Sequence, residues 1–131
     1  MKMLTMAAAM LGLASLCFAE GEETLQPLMK SIAATAGKMR KDAEAKSAPD
    51  LAKDGADLQA LYKQIGDFFA KRGGMDDAVK IARDAEMASK DLAAGGSEEK
   101  TMAAMKTIGG SCAGCHMAHR DKAADGTYKI K

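Results

Sequence analysis

From Glu20 onward, apolar residues recur at spacings of three and four, β-branched residues are few, and paired glycines break the pattern at Gly73-Gly74 and Gly95-Gly96. A period near 3.6 is that of amphipathic helices, and no segment alternates convincingly as a strand would. The expectation is therefore an all-α chain. A first helix starting near Thr24, its expected cap, carries Leu25, Leu28, Met29, Ile32, Ala36 and Met39 on one stripe, and its early start is what makes Pro27 tolerable. A second follows the start signature Ser47-Ala48-Pro49-Asp50 and buries Leu51, Leu58, Leu61, Ile65, Phe68 and Phe69. The third runs from about Met75 to Ala93, with Ala78, Val79, Ala82, Ala85 and Leu92 inward. Its alanine-rich face implies close helix contact.

The fourth helix begins at Ser97, a capping residue, with Glu98 and Glu99 against the positive end of the helix dipole. Met102, Met105, Ile108, Cys112 and Cys115 continue one stripe along it. Short turns favour antiparallel neighbours, so the predicted architecture is an antiparallel four-helix bundle.

Residues 1–19 read differently. Lys2 is their only charge, an apolar stretch runs from about Leu4 to Leu16, and Cys17-Phe18-Ala19 precedes Glu20. The apolar core is too short for a membrane span, and the small residues suit a signal peptidase, so cleavage after Ala19 and export to the periplasm are expected. A lipid anchor on Cys17 is the competing reading, disfavoured by the bulky Leu16. Removing 19 of the 131 residues leaves a single domain of 112, residues 20–131. The leader holds one of the 19 basic residues and none of the 18 acidic ones, so the domain is balanced in charge, and nothing indicates a nucleic-acid partner.

Two cysteines remain after cleavage, in Cys112-Ala113-Gly114-Cys115-His116. A disulfide between them would enclose too little chain to stabilise a fold. The domain also lacks Trp, keeps only Phe68 and Phe69 with Tyr62 and Tyr128, and so has little aromatic bulk for a core. A large flat apolar cofactor would supply it. Cys-x-x-Cys-His is the pattern of covalent haem attachment: two thiols join the haem, and the imidazole directly after the second reaches the iron. On a helix, Cys112, Cys115 and His116 project to one face.

Three other readings compete. A thioredoxin-type redox pair would follow a strand, but this motif lies late in a helical segment. A zinc site would recruit His119, the only other histidine, and two thiolates with two imidazoles on adjacent helical turns do not easily arrange tetrahedrally. A haem-free helical adaptor with a thiol switch is the third. Export favours haem, which is attached to such motifs outside the cytoplasm.

With its haem motif near the C-terminus of an exported four-helix chain, the sequence resembles the class II cytochromes c, meaning cytochrome c-prime and its low-spin relatives. The likeness is carried by Ile108 to His116 with Arg120, and by Leu25-Gln26-Pro27-Leu28-Met29-Lys30. The resemblance implies a four-helix bundle holding one covalent haem c on Cys112 and Cys115, with His116 as the proximal iron ligand. In the high-spin branch the first helix leaves the sixth iron site open to nitric oxide or carbon monoxide; in the low-spin branch it supplies a methionine.

The Leu28-Met29-Lys30 segment looks like the low-spin version, which makes Met29 the implied distal ligand and Met39 the second choice. A methionine on an inward face is otherwise core filling. The matching arginine of the family lies near the haem propionates, which gives Arg120 that role; as a plain residue it is a cation near a helix end. Pro27 and His119 depart from the family pattern. His119 is read as a partly exposed side chain near the haem edge.

The implied function is single-electron transfer with periplasmic redox proteins, with high-spin gas binding as the alternative and pairing of two copies through a helix face as a possible assembly. No nucleophile or acid–base pair stands out, so an enzyme in the usual sense is not expected.

Overall fold

The computed structural model describes residues 21–126 and 128–131; the leader with its Ala19 cleavage site and Cys17 lies outside the described residues. Four helices span Glu22–Glu44 (α1), Ala48–Arg72 (α2), Asp76–Ala94 (α3) and Glu98–His119 (α4), followed by two short strands, Arg120–Lys122 (β1) and Tyr128–Ile130 (β2). Among the described residues, no helix is long and apolar enough to cross a membrane.

Three helix boundaries follow from capping chemistry. Ser47 and Ser97 occupy the N-caps of α2 and α4, and Ser97 Oγ accepts from Lys100 N at 3.3 Å. Ser47 instead directs its hydroxyl to the Asp50 carboxylate. Gly73 ends α2 at φ 73°, in the left-handed region where glycine carries no Cβ penalty. The start of α1 differs from expectation. Gly21, not Thr24, is the cap, and Thr24 N donates to Gly21 O at 3.1 Å inside the first turn. Glu22 and Glu23 favour this earlier start by meeting the helix dipole. Pro27 consequently lies within the helix, where it removes one backbone donor.

Consecutive helices run antiparallel, as their cross-links demonstrate. Lys38 of α1 meets Asp54 of α2 at 3.0 Å, Arg83 of α3 meets Asp67 of α2 at 2.7 Å, and His119 of α4 meets Asp77 of α3 at 2.6 Å. The result is an all-helical chain of four helices, compatible with a four-helix bundle. Leu58, Ile65 and Ile108 are fully buried, and Ala78, Ala82 and Ala85 form the expected small-residue face of α3. That face lets α2 and α3 approach closely: a Cβ on Gly55 would sit 2.5 Å from Ala93 N and 2.8 Å from Ser89 O.

The packing sequence is α1 on α2, α2 on α3 and α3 on α4, while the backbones of α1 and α4 do not close on each other. A gap between these two helices remains.

Two further expectations are corrected. Met102 is 64 % exposed and Ala104 is buried in its place. Six residues before Ile108, Met102 is rotated by roughly 240° around the helix, off the stripe formed by Ala104, Ile108, Ser111 and Cys115. The chain also does contain strands: β1 and β2 pair antiparallel, with Arg120 opposite Ile130, Asp121 opposite Lys129 and Lys122 opposite Tyr128. Three-residue strands are too short to display an alternating pattern. The hairpin is fastened at its base, where Lys131 N donates to His119 O at 3.0 Å and Ile130 N donates to Glu22 Oε1 at 3.4 Å. It therefore links the start of α1 to the end of α4.

Candidate functional site

The gap between α1 and α4 holds two cavities of about 350 and 250 Å³. Met29, Ala33, Cys115 and His116 line both, so the cavities meet at these four residues. Arg120 borders the larger cavity and Cys112 the smaller. All five residues singled out in the sequence thus border one divided space, which is within the size range of small-molecule sites. Met39 is buried in the core and borders neither cavity.

Helix periodicity puts Cys112, Cys115 and His116 on the side of α4 that faces α1. All three are partly buried, and both cysteines are free thiols. Burial, reinforced by Cys112 and Asp77, pushes the Cys115 thiol up to about 11, so it stays protonated near neutrality. Burial also lowers the His116 imidazole below its usual value, and the Arg120 guanidinium adds to the shift. Both effects favour a neutral ring with a lone pair to give.

Arg120 lies just past the helix, in extended conformation at φ −116° and ψ 126°. Its Nη1 is nevertheless 3.3 Å from His116 Nδ1. A guanidinium can only donate, so Nδ1 accepts and the ring proton sits on Nε2. His119 lies at the edge of the larger cavity as a partly buried residue, held by Asp77.

Several residues at the site were not singled out in the sequence. Tyr62, Ser111 and Ile81 line the smaller cavity together with Arg40, its one charged residue. Phe69 and the hairpin residues Lys129 and Ile130 line the larger one. Lys30 and Lys129, both exposed, stand with Arg120 at its border, where Glu22 is the one acidic neighbour. Tyr62 had a signal: it continues the Leu58, Ile65, Phe69 stripe of α2 and brings a hydroxyl into it. The hairpin residues had none, because their place depends on how the chain doubles back.

Among the described residues, no group of three or more His, Cys, Asp or Glu side chains converges to hold a metal ion. No protein-family model matches this chain, and no curated protein or solved structure matches it either.

Proposed function

We propose that this protein is a single-electron carrier built around one covalently attached haem c, a low-spin relative of the class II cytochromes c. The observation that carries the reading is the meeting of Met29 from α1 with Cys115 and His116 from α4 at the junction of two cavities.

The residues present fit such a group. Most of the surface that lines the space is apolar, with charged side chains at the border of the larger cavity, and the two thiols are uncrosslinked. Bound haem would supply the one-electron redox centre. Cys112 and Cys115 would hold it as thioethers, with His116 Nε2 and the Met29 sulfur as axial ligands. A thioether opposite imidazole favours the reduced state relative to harder ligand sets.

The electrostatics set one condition on loading. Ligation through Nε2 requires the ring proton on Nδ1, where it faces a guanidinium that has only protons to offer. Arg120 would then exchange Nδ1 for another acceptor, and the haem carboxylates would supply one. Lys30 and Lys129 strengthen the positive border there. The hairpin, bonded to both α1 and α4, keeps the two ligand-bearing helices in register.

The room beside Met29 favours one second reading, a gas-binding protein in which the sixth iron site is open. Optical spectra decide between the two. The protein is expressed with cytochrome-maturation machinery and recorded oxidised and reduced, with and without carbon monoxide. A low-spin spectrum indifferent to carbon monoxide, from haem that resists acid–acetone extraction, is the expected result. A high-spin spectrum that shifts with the gas would make gas binding the function, and absence of covalent haem would remove both.

A further inference from the structure

Tyr62 is 5 % exposed, and its phenol must find a partner inside the protein or forfeit the hydrogen bond that water would otherwise supply. Two partners are in reach: Ser111 Oγ, which donates to the phenol oxygen at 3.0 Å, and Cys112 Sγ at 3.6 Å. Ser111, itself buried, also donates to the Ile108 carbonyl at 2.6 Å, so its single proton is divided between that carbonyl and the phenol oxygen. The phenol proton is left for the cysteine sulfur. Burial raises the ionisation of Tyr62, so the group remains a donor at any working pH. It reaches Cys112 from α2, a helix that carries none of the residues proposed to hold the haem.

We propose that Tyr62 is a positioning residue for the redox centre, whose hydroxyl orients the Cys112 sulfur and, by pointing its positive end at that sulfur, favours the reduced protein. This rests on the reading of the site as a covalent haem pocket. A thioether sulfur keeps lone pairs and can still accept from the phenol after attachment. Because the sulfur is joined to the macrocycle, the dipole acts on the electron added there.

The test is the midpoint potential of the haem-loaded protein in three forms: wild type, Tyr62→Phe and Ser111→Ala. Tyr62→Phe keeps the ring and removes the donor. At a fixed applied potential its ratio of reduced to oxidised protein falls about fivefold, the order expected for one hydrogen bond, or about 40 mV at 59 mV per tenfold. Ser111→Ala removes a donor to the phenol oxygen but leaves the phenol proton on the sulfur, so its ratio falls by clearly less than that of Tyr62→Phe.

An unchanged potential in Tyr62→Phe overturns the proposal. So does an equal fall in both variants, which is what loosened packing would produce. Wild-type protein without covalent haem overturns the underlying reading instead, and that result is seen before either variant is made.

Discussion

His119 Nε2 lies 2.6 Å from Asp77 Oδ2 and joins the last residue of α4 to the first turn of α3, beside the larger cavity. The contact holds the Asp77 carboxyl below its ordinary range, chiefly through the hydrogen bond from His119. A depressed carboxyl contributes stability that is present above its unfolded value, about 3.9, and lost as pH falls through the folded one. The thermal midpoint of the wild type should therefore drop more steeply below about pH 4 than that of Asp77→Asn. Parallel acid limbs would mean that the pair contributes nothing.

Asp54 presents the opposite sign. It is 1 % exposed, its Oδ2 has no hydrogen-bond partner, and burial raises its carboxyl above the usual value despite the Lys38 ammonium 3.0 Å away. The charged form is thus penalised in the folded protein, fully so above the folded value and less as pH falls through it. Asp54→Asn removes that charge. Its thermal midpoint at pH 7 is expected to exceed that of the wild type, with the two converging in acid. A lower midpoint at pH 7 would show that Lys38 outweighs burial.

Gly55 sits where α2 crosses α3. A methyl there would come within 3.0 Å of Ala93 N, Ala93 Cα and Ser89 O, and backbone atoms cannot swing aside as a side chain can. Gly55→Ala should therefore cost about 3 kcal/mol, at the upper end of overpacking effects, despite the better helix propensity of alanine. Urea unfolding measures it, and a variant as stable as the wild type would mean that the two helices part freely. Gly37 in α1 is the control, since a Cβ there meets nothing within 4 Å and Gly37→Ala should stabilise.

Met29→Leu conserves volume at a partly buried position and should change stability by less than about 1.5 kcal/mol. In the haem-loaded protein the same change removes the sixth ligand, so the reduced form should bind carbon monoxide and the ferric spectrum should turn high-spin. An unchanged ferric spectrum would exclude Met29 as the ligand. Replacing both Cys112 and Cys115 by Ser should let acid–acetone strip the haem, and retention would argue against thioether attachment.

Much of the bundle could be read along the chain because its determinants are local. Ser47, Ser97, Gly73 and Gly95 mark helix ends through backbone geometry that each residue type favours on its own, and the 3.6 period assigned the inward faces of α1 to α3. Grouping Cys112, Cys115 and His116 needed only the pitch of one helix. Met102 was misplaced because a stripe followed through steps of three drifts around the helix, and only the packing of Ala104 and Ile108 shows which side faces the core.

What the sequence determined by itself is therefore the set of helices and the cluster on α4. Tertiary structure decided the rest. That α1 and α4 stand apart, that Met29 meets Cys115 and His116 across the gap, and that Tyr62 reaches Cys112 over 50 residues of chain are outcomes of helix packing. Such contacts depend on how four surfaces interlock at once, and spacing within one helix carries no information about it. The hairpin makes the same point, since Ile130 finds Glu22 over 108 residues only after every helix between them has been placed.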